Sequence, residues 1–371
     1  MRKKILIVGL FLLAAVLLSG CVGATAWPGL SASGDAAYLA NTTAVHAVNL
    51  KTGEEMWKFT ASGGFLGSNP SLFVTNPVLT EDGSLIVLDS GNKRVMYALD
   101  LNKMDVEEKR PVIRWEFSDA EGHWIAAPLI LGNRLFAPNA DGNLYVLNLQ
   151  DGKKAEEPIR LSGKENQTDR LWAQPVTDGE RLFVTSLDHR IFAISLETYE
   201  VLWSQQLDAA IPGAPVLGAD GMLYVGSFAK KLEQFDPVSG EHKSVLDTND
   251  WVWGTPIVDG DNLYFGDVQG YFYSYNTKEA RLNWEPVKLD GAIAASPLIL
   301  GDRLLVATEL GDVYAVDRNG AAEVWYHPDK EGKAYTTPVL AGEYVLAAYL
   351  ESDYYLVILN TEGIVQRTFP Q

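Results

Sequence analysis

Short apolar runs separated by polar turns recur along this chain, and no stretch carries the 3.6-residue period of an amphipathic helix. The segment from Pro175 reads PVTDGERLFVTSLDHRIFAISLETYEVLW. Those from Pro256 and Pro297 read PIVDGDNLYFGDVQGYFYSYNTKEARLNW and PLILGDRLLVATELGDVYAVDRNGAAEVW. Each gives a proline, a brief apolar run, a turn, an apolar strand, a second turn, another strand, a third turn and a tryptophan. Gly301–Asp302, Gly311–Asp312 and Asn319–Gly320 are the turns of one unit, built from residues that tolerate the backbone angles of tight reversals. Three turns imply four antiparallel strands.

The prolines at 128, 175, 215, 256, 297 and 338 are spaced 47, 40, 41, 41 and 41 residues apart. Two further units are expected to start at Pro28 and Pro77. Inner runs such as Leu182 to Val184 and Ile191 to Ile194 are continuously apolar, as in a sheet covered on both faces. Four-stranded units of about 40–45 residues, packed face to face around an axis, define a β-propeller. The fold class expected is therefore all-β, with eight four-stranded antiparallel blades. Strand a should be innermost, because the residues just before the prolines are small: Ala126–Ala127, Gly213–Ala214, Gly254–Thr255, Ala295–Ser296 and Thr336–Thr337. Trp57, Trp115, Trp203, Trp284 and Trp325 fall on outermost strand d, where blades splay and bulk fills the gap. The connection from Thr60 to Asn76 and the charged insertion from Asn102 to Arg110 make the early blades irregular.

The first residues do not follow this pattern. Arg2, Lys3 and Lys4 precede an apolar run of 14 residues, Ile5 to Leu18, of signal-peptide length. The run ends Leu18-Ser19-Gly20-Cys21, and Cys21 is the only cysteine in the chain. This resembles the lipobox of bacterial lipoproteins, which implies lipidation of Cys21 and cleavage before it. The domains read as a signal peptide at 1–20, a short tether at 21–26 and one propeller at 27–371. Val22 is not an acidic retention signal, so by analogy delivery to the periplasmic face of an outer membrane is permitted. In a single-membrane envelope the chain would stand on the outer surface. The net charge is −18; losing the three basic residues of the signal leaves 27 basic against 48 acidic, or −21. Such a balance argues against nucleic acid and against membrane binding other than through the anchor.

The unit P-[VIL]-x-x-x-G-x-L-[FYL] followed by D-x-x-[TSN]-G-x-x-x-W resembles the PQQ-like repeat family over about residues 27 to 369. With a lipobox in front and eight units, it is most similar to BamB-type lipoproteins. That resemblance implies a monomeric, non-enzymatic scaffold for outer-membrane protein assembly, with an envelope protein or peptide as partner and no cofactor. The same repeat occurs in quinoprotein dehydrogenases, but one cysteine cannot form the vicinal disulfide typical of those enzymes. Five scattered histidines give no pair at metal-ligand spacing, and no hydrolase or P-loop motif is present. Asp188-His189-Arg190 reads as a solvated turn.

Antiparallel order puts the a–b and c–d turns on one face and the b–c turns and d-to-a connections on the other. The connections carry His123, Trp124, Arg170, Trp172, Trp251, Trp253, Lys333 and Tyr335. The b–c turns add Lys93, Arg94, His189, Arg190, Lys230 and Lys231. An aromatic and partly basic mouth is expected there, with Trp251 and Trp124 exposed, and Trp172 and Trp253 either exposed or plugging the channel. Such residue types dominate protein-binding hot spots. A receptor for a carbohydrate or small ligand in the funnel is the alternative.

Overall fold

The computed structural model describes residues 27–61, 71–161, 171–329 and 331–371. The proposed signal peptide, Cys21, the tether and Arg170 lie outside them. Among the described residues every regular element is a strand, and the strands form eight antiparallel sheets. Blades 1 to 8 span residues 29–59, 78–117, 129–160, 176–206, 216–247, 257–288, 298–326 and 339–369. In each, strands a to d pair in chain order. Blade 6 splits strand d into Arg281–Leu282 and Val287–Lys288, on either side of Pro286, which has no amide hydrogen to give the ladder, and in blade 3 a bridge at Lys154 precedes the short strand Ile159–Arg160. The protein is an eight-bladed β-propeller.

Strands b and c are buried along nearly their whole length, as in Ala36–Asn41 and Leu223–Ser227. The continuous apolar runs follow from this: both faces of every inner strand meet another blade. The core is accordingly divided into eight clusters, each shared by two neighbouring blades. The last joins Leu30, Leu39 and Val48 of blade 1 to Leu346, Ile358 and Phe369 of blade 8, and so closes the ring. No strand is exchanged at closure, because blades 1 and 8 are each complete within themselves. Hydrogen bonds across the seam run from Thr336 Oγ1 to the Pro28 carbonyl (2.6 Å) and from Gln371 Nε2 to the Thr52 carbonyl (2.8 Å).

Two of the outer tryptophans are hydrogen-bonded from one blade to the next. The Trp115 indole donates to the Leu149 carbonyl (2.9 Å) and that of Trp203 to the Pro237 carbonyl (3.0 Å), both in the c–d turn of the following blade. Gly152 in the first of these turns has φ +69°, and a Cβ there would come within 2.5 Å of the Trp115 ring. At the axis a Cβ on Gly254 would sit 2.8 Å from the Ala295 carbonyl oxygen, so the inner ends must be small.

Blade 1 begins differently from the expectation. Its a–b turn is at Gly34, so Leu30, not Pro28, stands where the other blades have proline. Leu30 keeps the amide hydrogen that a proline lacks and donates it to Asn76 Oδ1 (3.0 Å). Register counted from this position places Trp27, like Trp172, Trp253 and Tyr335, three residues ahead.

Candidate functional site

The connection between blades 5 and 6 is gripped between two b–c turns. Val268 of blade 6 donates its amide to the Trp251 carbonyl (3.0 Å), while Val252 donates to Ser227 of blade 5 (3.3 Å). Buried polar residues at the starts of the turns set this geometry. Asp267 accepts from the amides of Gln269, Tyr271 and Asp250 (each 3.0 Å) and from the Tyr273 hydroxyl (2.7 Å). The turns and connections therefore share one face, as the strand order requires.

At the centre of that face an axial cavity of about 540 Å³ is lined by all eight blades. The residues three before the proline position are Trp27, Val74, Ile125, Trp172, Pro212, Trp253, Ala294 and Tyr335, and all eight line it. One residue before the proline position, the even blades use a polar side chain to bind the backbone of the preceding odd blade. Asn76 takes the Leu30 amide, Gln174 donates to the Pro128 carbonyl (2.8 Å), Thr255 takes the Ala214 amide (3.0 Å) and Thr337 takes the Ser296 amide (3.1 Å). Among the described residues that line the wall, none carries a charged side chain.

The aromatic residues meet across the axis. Trp27 of blade 1 lies 5.3 Å from Trp253 of blade 6 and stacks on Tyr335 at 4.8 Å. Trp253 also touches Trp172 (6.3 Å) and Phe228 (5.1 Å), and Phe228 stacks on Trp251 at 4.8 Å. Six rings thus form one strip from the blade 5–6 rim, over the channel mouth, to blade 8. Trp172 and Trp253 plug the mouth and stay half-buried, whereas Trp251 is 44% exposed, as expected. Two members of the strip escape a reading of the sequence. Trp27 is hidden by the two-residue offset of blade 1, and counting back from Gly34 recovers it. Phe228 precedes Lys230 and Lys231 in a turn read for its charge alone.

Two expectations need correction. Trp124 is not exposed; it is fully buried against Phe117 and Tyr145, and its indole donates to the Arg94 carbonyl (2.8 Å). It stands four residues before the proline, the buried place that Leu171, Val252 and Ile293 fill in other blades, while Ile125 takes the axial place. Nor do the described residues make the mouth basic. Lys230 pairs with Asp250 (3.2 Å), Arg190 with Asp188 (3.7 Å) and Lys333 with Glu351 (3.3 Å). Arg94 binds the Glu121 carbonyl, and His123 Nδ1 lies 2.8 Å from the Ser90 carbonyl. Lys231 opens strand c of blade 5, half-buried, and His189 is held in a turn with φ +74°.

Two groups at the mouth have their ionisation shifted by their surroundings. Burial opposes ionisation of Asp250, but the Trp251 amide and Lys230 outweigh it and hold the carboxyl below its ordinary value. Tyr335 donates to Glu309 Oε1 (2.7 Å). Burial, the bond to Glu309 and the charges of Glu309 and Glu351 all push its phenol above the ordinary value. Among the described residues no group of His, Cys, Asp or Glu side chains could hold a metal ion.

Comparison with known proteins adds independent findings. Residues 23–243 and 230–363 match the family described as outer membrane protein assembly factor BamB. Among curated relatives, outer membrane protein assembly factor BamB of Pseudomonas aeruginosa is 27% identical over 174 residues, 44% of either chain. That of Alkalilimnicola ehrlichii is 26% identical over 155 residues, 39% of either chain. Tetrathionate hydrolase of Acidithiobacillus ferrooxidans is 24% identical over 288 residues, 64% of this chain and 53% of the relative. The chain thus matches about half the length of these relatives or less. Among solved structures, BamB from Moraxella catarrhalis superposes with a TM-score of 0.67 at 16% identity, covering 91% of this chain and 94% of the other. The computationally designed Ika8 protein gives 0.64 at 11% identity, covering 92% and 95%. At such identities the superpositions speak for the fold alone.

Proposed function

Because the chain belongs to the family of the outer membrane protein assembly factor BamB, we propose that it is a lipid-anchored, non-enzymatic scaffold of envelope protein assembly. Its docking face is the one that carries the connections and b–c turns. The anchor is Cys21, and the body stands outside the cytoplasm on a short tether. The observation that carries this reading is the aromatic strip. Six rings converge on one face of a strongly acidic propeller, and one, Trp251, remains largely open to solvent. Half-exposed Trp and Tyr clusters supply large contact area at low conformational cost, which is why they dominate protein-binding hot spots. The tight, polar a–b turns of the opposite face offer nothing comparable.

Replacing Trp251 and Trp253 together by alanine is expected to leave the far-ultraviolet spectrum unchanged. Capture of a β-barrel assembly component by the tagged, lipidated protein should fall at least about tenfold, the scale of a lost hot spot. Undiminished capture by a folded variant would count against the docking face. The resemblance to tetrathionate hydrolase over 288 residues favours a second reading, catalysis on an inorganic sulfur compound. Tetrathionate consumption by the purified chain, measured against a heat-inactivated control, separates the two; the scaffold reading expects none.

A further inference from the structure

The docking role proposed above is the footing on which we infer that the mouth receives an extended, cationic protein segment, with one arginine or lysine side chain held at the Tyr335 end of the aromatic strip. The two ends of the strip differ in chemistry. At the Trp251 end the acid, Asp250, is already matched by Lys230 at 3.2 Å. At the Tyr335 end two carboxylates, Glu309 and Glu351, come from the b–c turns of blades 7 and 8 and flank the phenol. One lysine, Lys333, meets them, 3.3 Å from Glu351. Glu309 is left to accept a hydrogen bond from a neutral phenol.

A guanidinium suits this place on two counts. It is a planar donor that matches a carboxylate, and it lies well against aromatic rings, which the stacked Tyr335 and Trp27 supply. An ammonium makes the charge contact without the planar fit. The charge of the whole molecule, −18, complements the same partner and steers it toward the face. A neutral sugar fits less well, because it gains nothing from the carboxylates beside Tyr335 or from the net charge of the chain. The remaining apolar edges suit the side chains of an extended segment lying across the axis.

The test is calorimetry on the whole chain with a blocked eight-residue peptide of alternating tyrosine and arginine, and with versions carrying glutamine or glutamate for arginine. The arginine peptide should bind, the glutamine version about tenfold more weakly, and the glutamate version not at all. Glu309→Gln combined with Glu351→Gln should weaken the arginine peptide about tenfold and leave the glutamine peptide unchanged. Lys333→Ala should strengthen the arginine peptide, an opposite sign that loss of structure would not produce. Trp251→Ala should weaken both peptides alike. Equal affinity for the arginine and glutamine peptides, indifference to the paired glutamine substitutions, or binding of chitotetraose in place of peptide would overturn the inference. If the paired variant captures the assembly component normally while Trp251→Ala does not, the cation site fails and the docking face stands. If neither change lowers capture, both fail.

Discussion

Trp124 and Trp251 occupy neighbouring kinds of place in the repeat and do opposite things. Both lie on connections just before strand a, where the sequence suggests exposure to solvent. Trp124 is enclosed by Phe117 and Tyr145 with its indole satisfied, whereas Trp251 rests one face on Phe228 and leaves the other exposed. Their substitutions should separate accordingly. Trp124→Ala removes a fully buried ring and should cost about 3–5 kcal/mol in urea unfolding. Trp251→Ala should cost less than about 1 kcal/mol while impairing capture. The reverse ranking of stabilities would show that the two environments are misassigned. The contrast also marks what a sequence conveys at this scale. Trp251 stands five residues before its proline and Trp124 four, where Leu171, Ile211, Val252 and Ile293 are also buried, so counting along the repeat separates the two. The pairing of the mouth charges is less legible: Lys230 of a b–c turn meets Asp250 of a connection, Lys333 of a connection meets Glu351 of a b–c turn, and Arg190 finds Asp188 within its own turn.

Turn and strand make the element that sequence describes best. Four strands per unit, small residues at the axis and tryptophans at the rim follow from local pattern, because each unit repeats the same packing problem. The blade 1 register was the exception. Pro28 stands two residues ahead of the position that proline holds in the other blades, as the turn glycine at 34 shows. The contact between blades 2 and 3 gives this scale its test. Gly152 combines a positive φ with a ring that leaves no room for a Cβ. Gly152→Ala is therefore expected to destabilise by about 1–3 kcal/mol. Trp115→Ala alone should cost about 3–5 kcal/mol. Made together they should cost less than the two separate losses added, since the clash vanishes with the ring. Strict additivity in urea melts would mean that the indole does not seat on that turn.

For the molecule as a whole, the ring closes through packing of blade 8 on blade 1, so its stability is shared among eight like interfaces. Buried tyrosines recur in these interfaces, and their phenols share one electrostatic trend. Burial raises Tyr97, Tyr145, Tyr224, Tyr273 and Tyr349 above the ordinary value, and Tyr326 to about 12. A group with a raised folded-state pKa contributes stability that is fully present below its unfolded value, here about 10, and is lost as pH climbs through the folded value. The propeller should hold its unfolding midpoint from neutral pH to about 10 and then lose it steeply toward 12. A midpoint unchanged at pH 12 would contradict that burial. How the eight mouth segments converge was foreseeable from the closed ring. The plugging of the mouth was not, because Trp27 and Trp253 meet from blades 1 and 6, more than 200 residues apart in sequence.

The central claim is that this face, and not its opposite, meets the partner. A photoreactive benzoyl-phenylalanine placed at Trp251, with Asp302 in an a–b turn of the opposite face as control, tests it in intact cells. The account predicts adducts with a β-barrel assembly component from position 251 and none from 302. Adducts from 302 with none from 251 would contradict it.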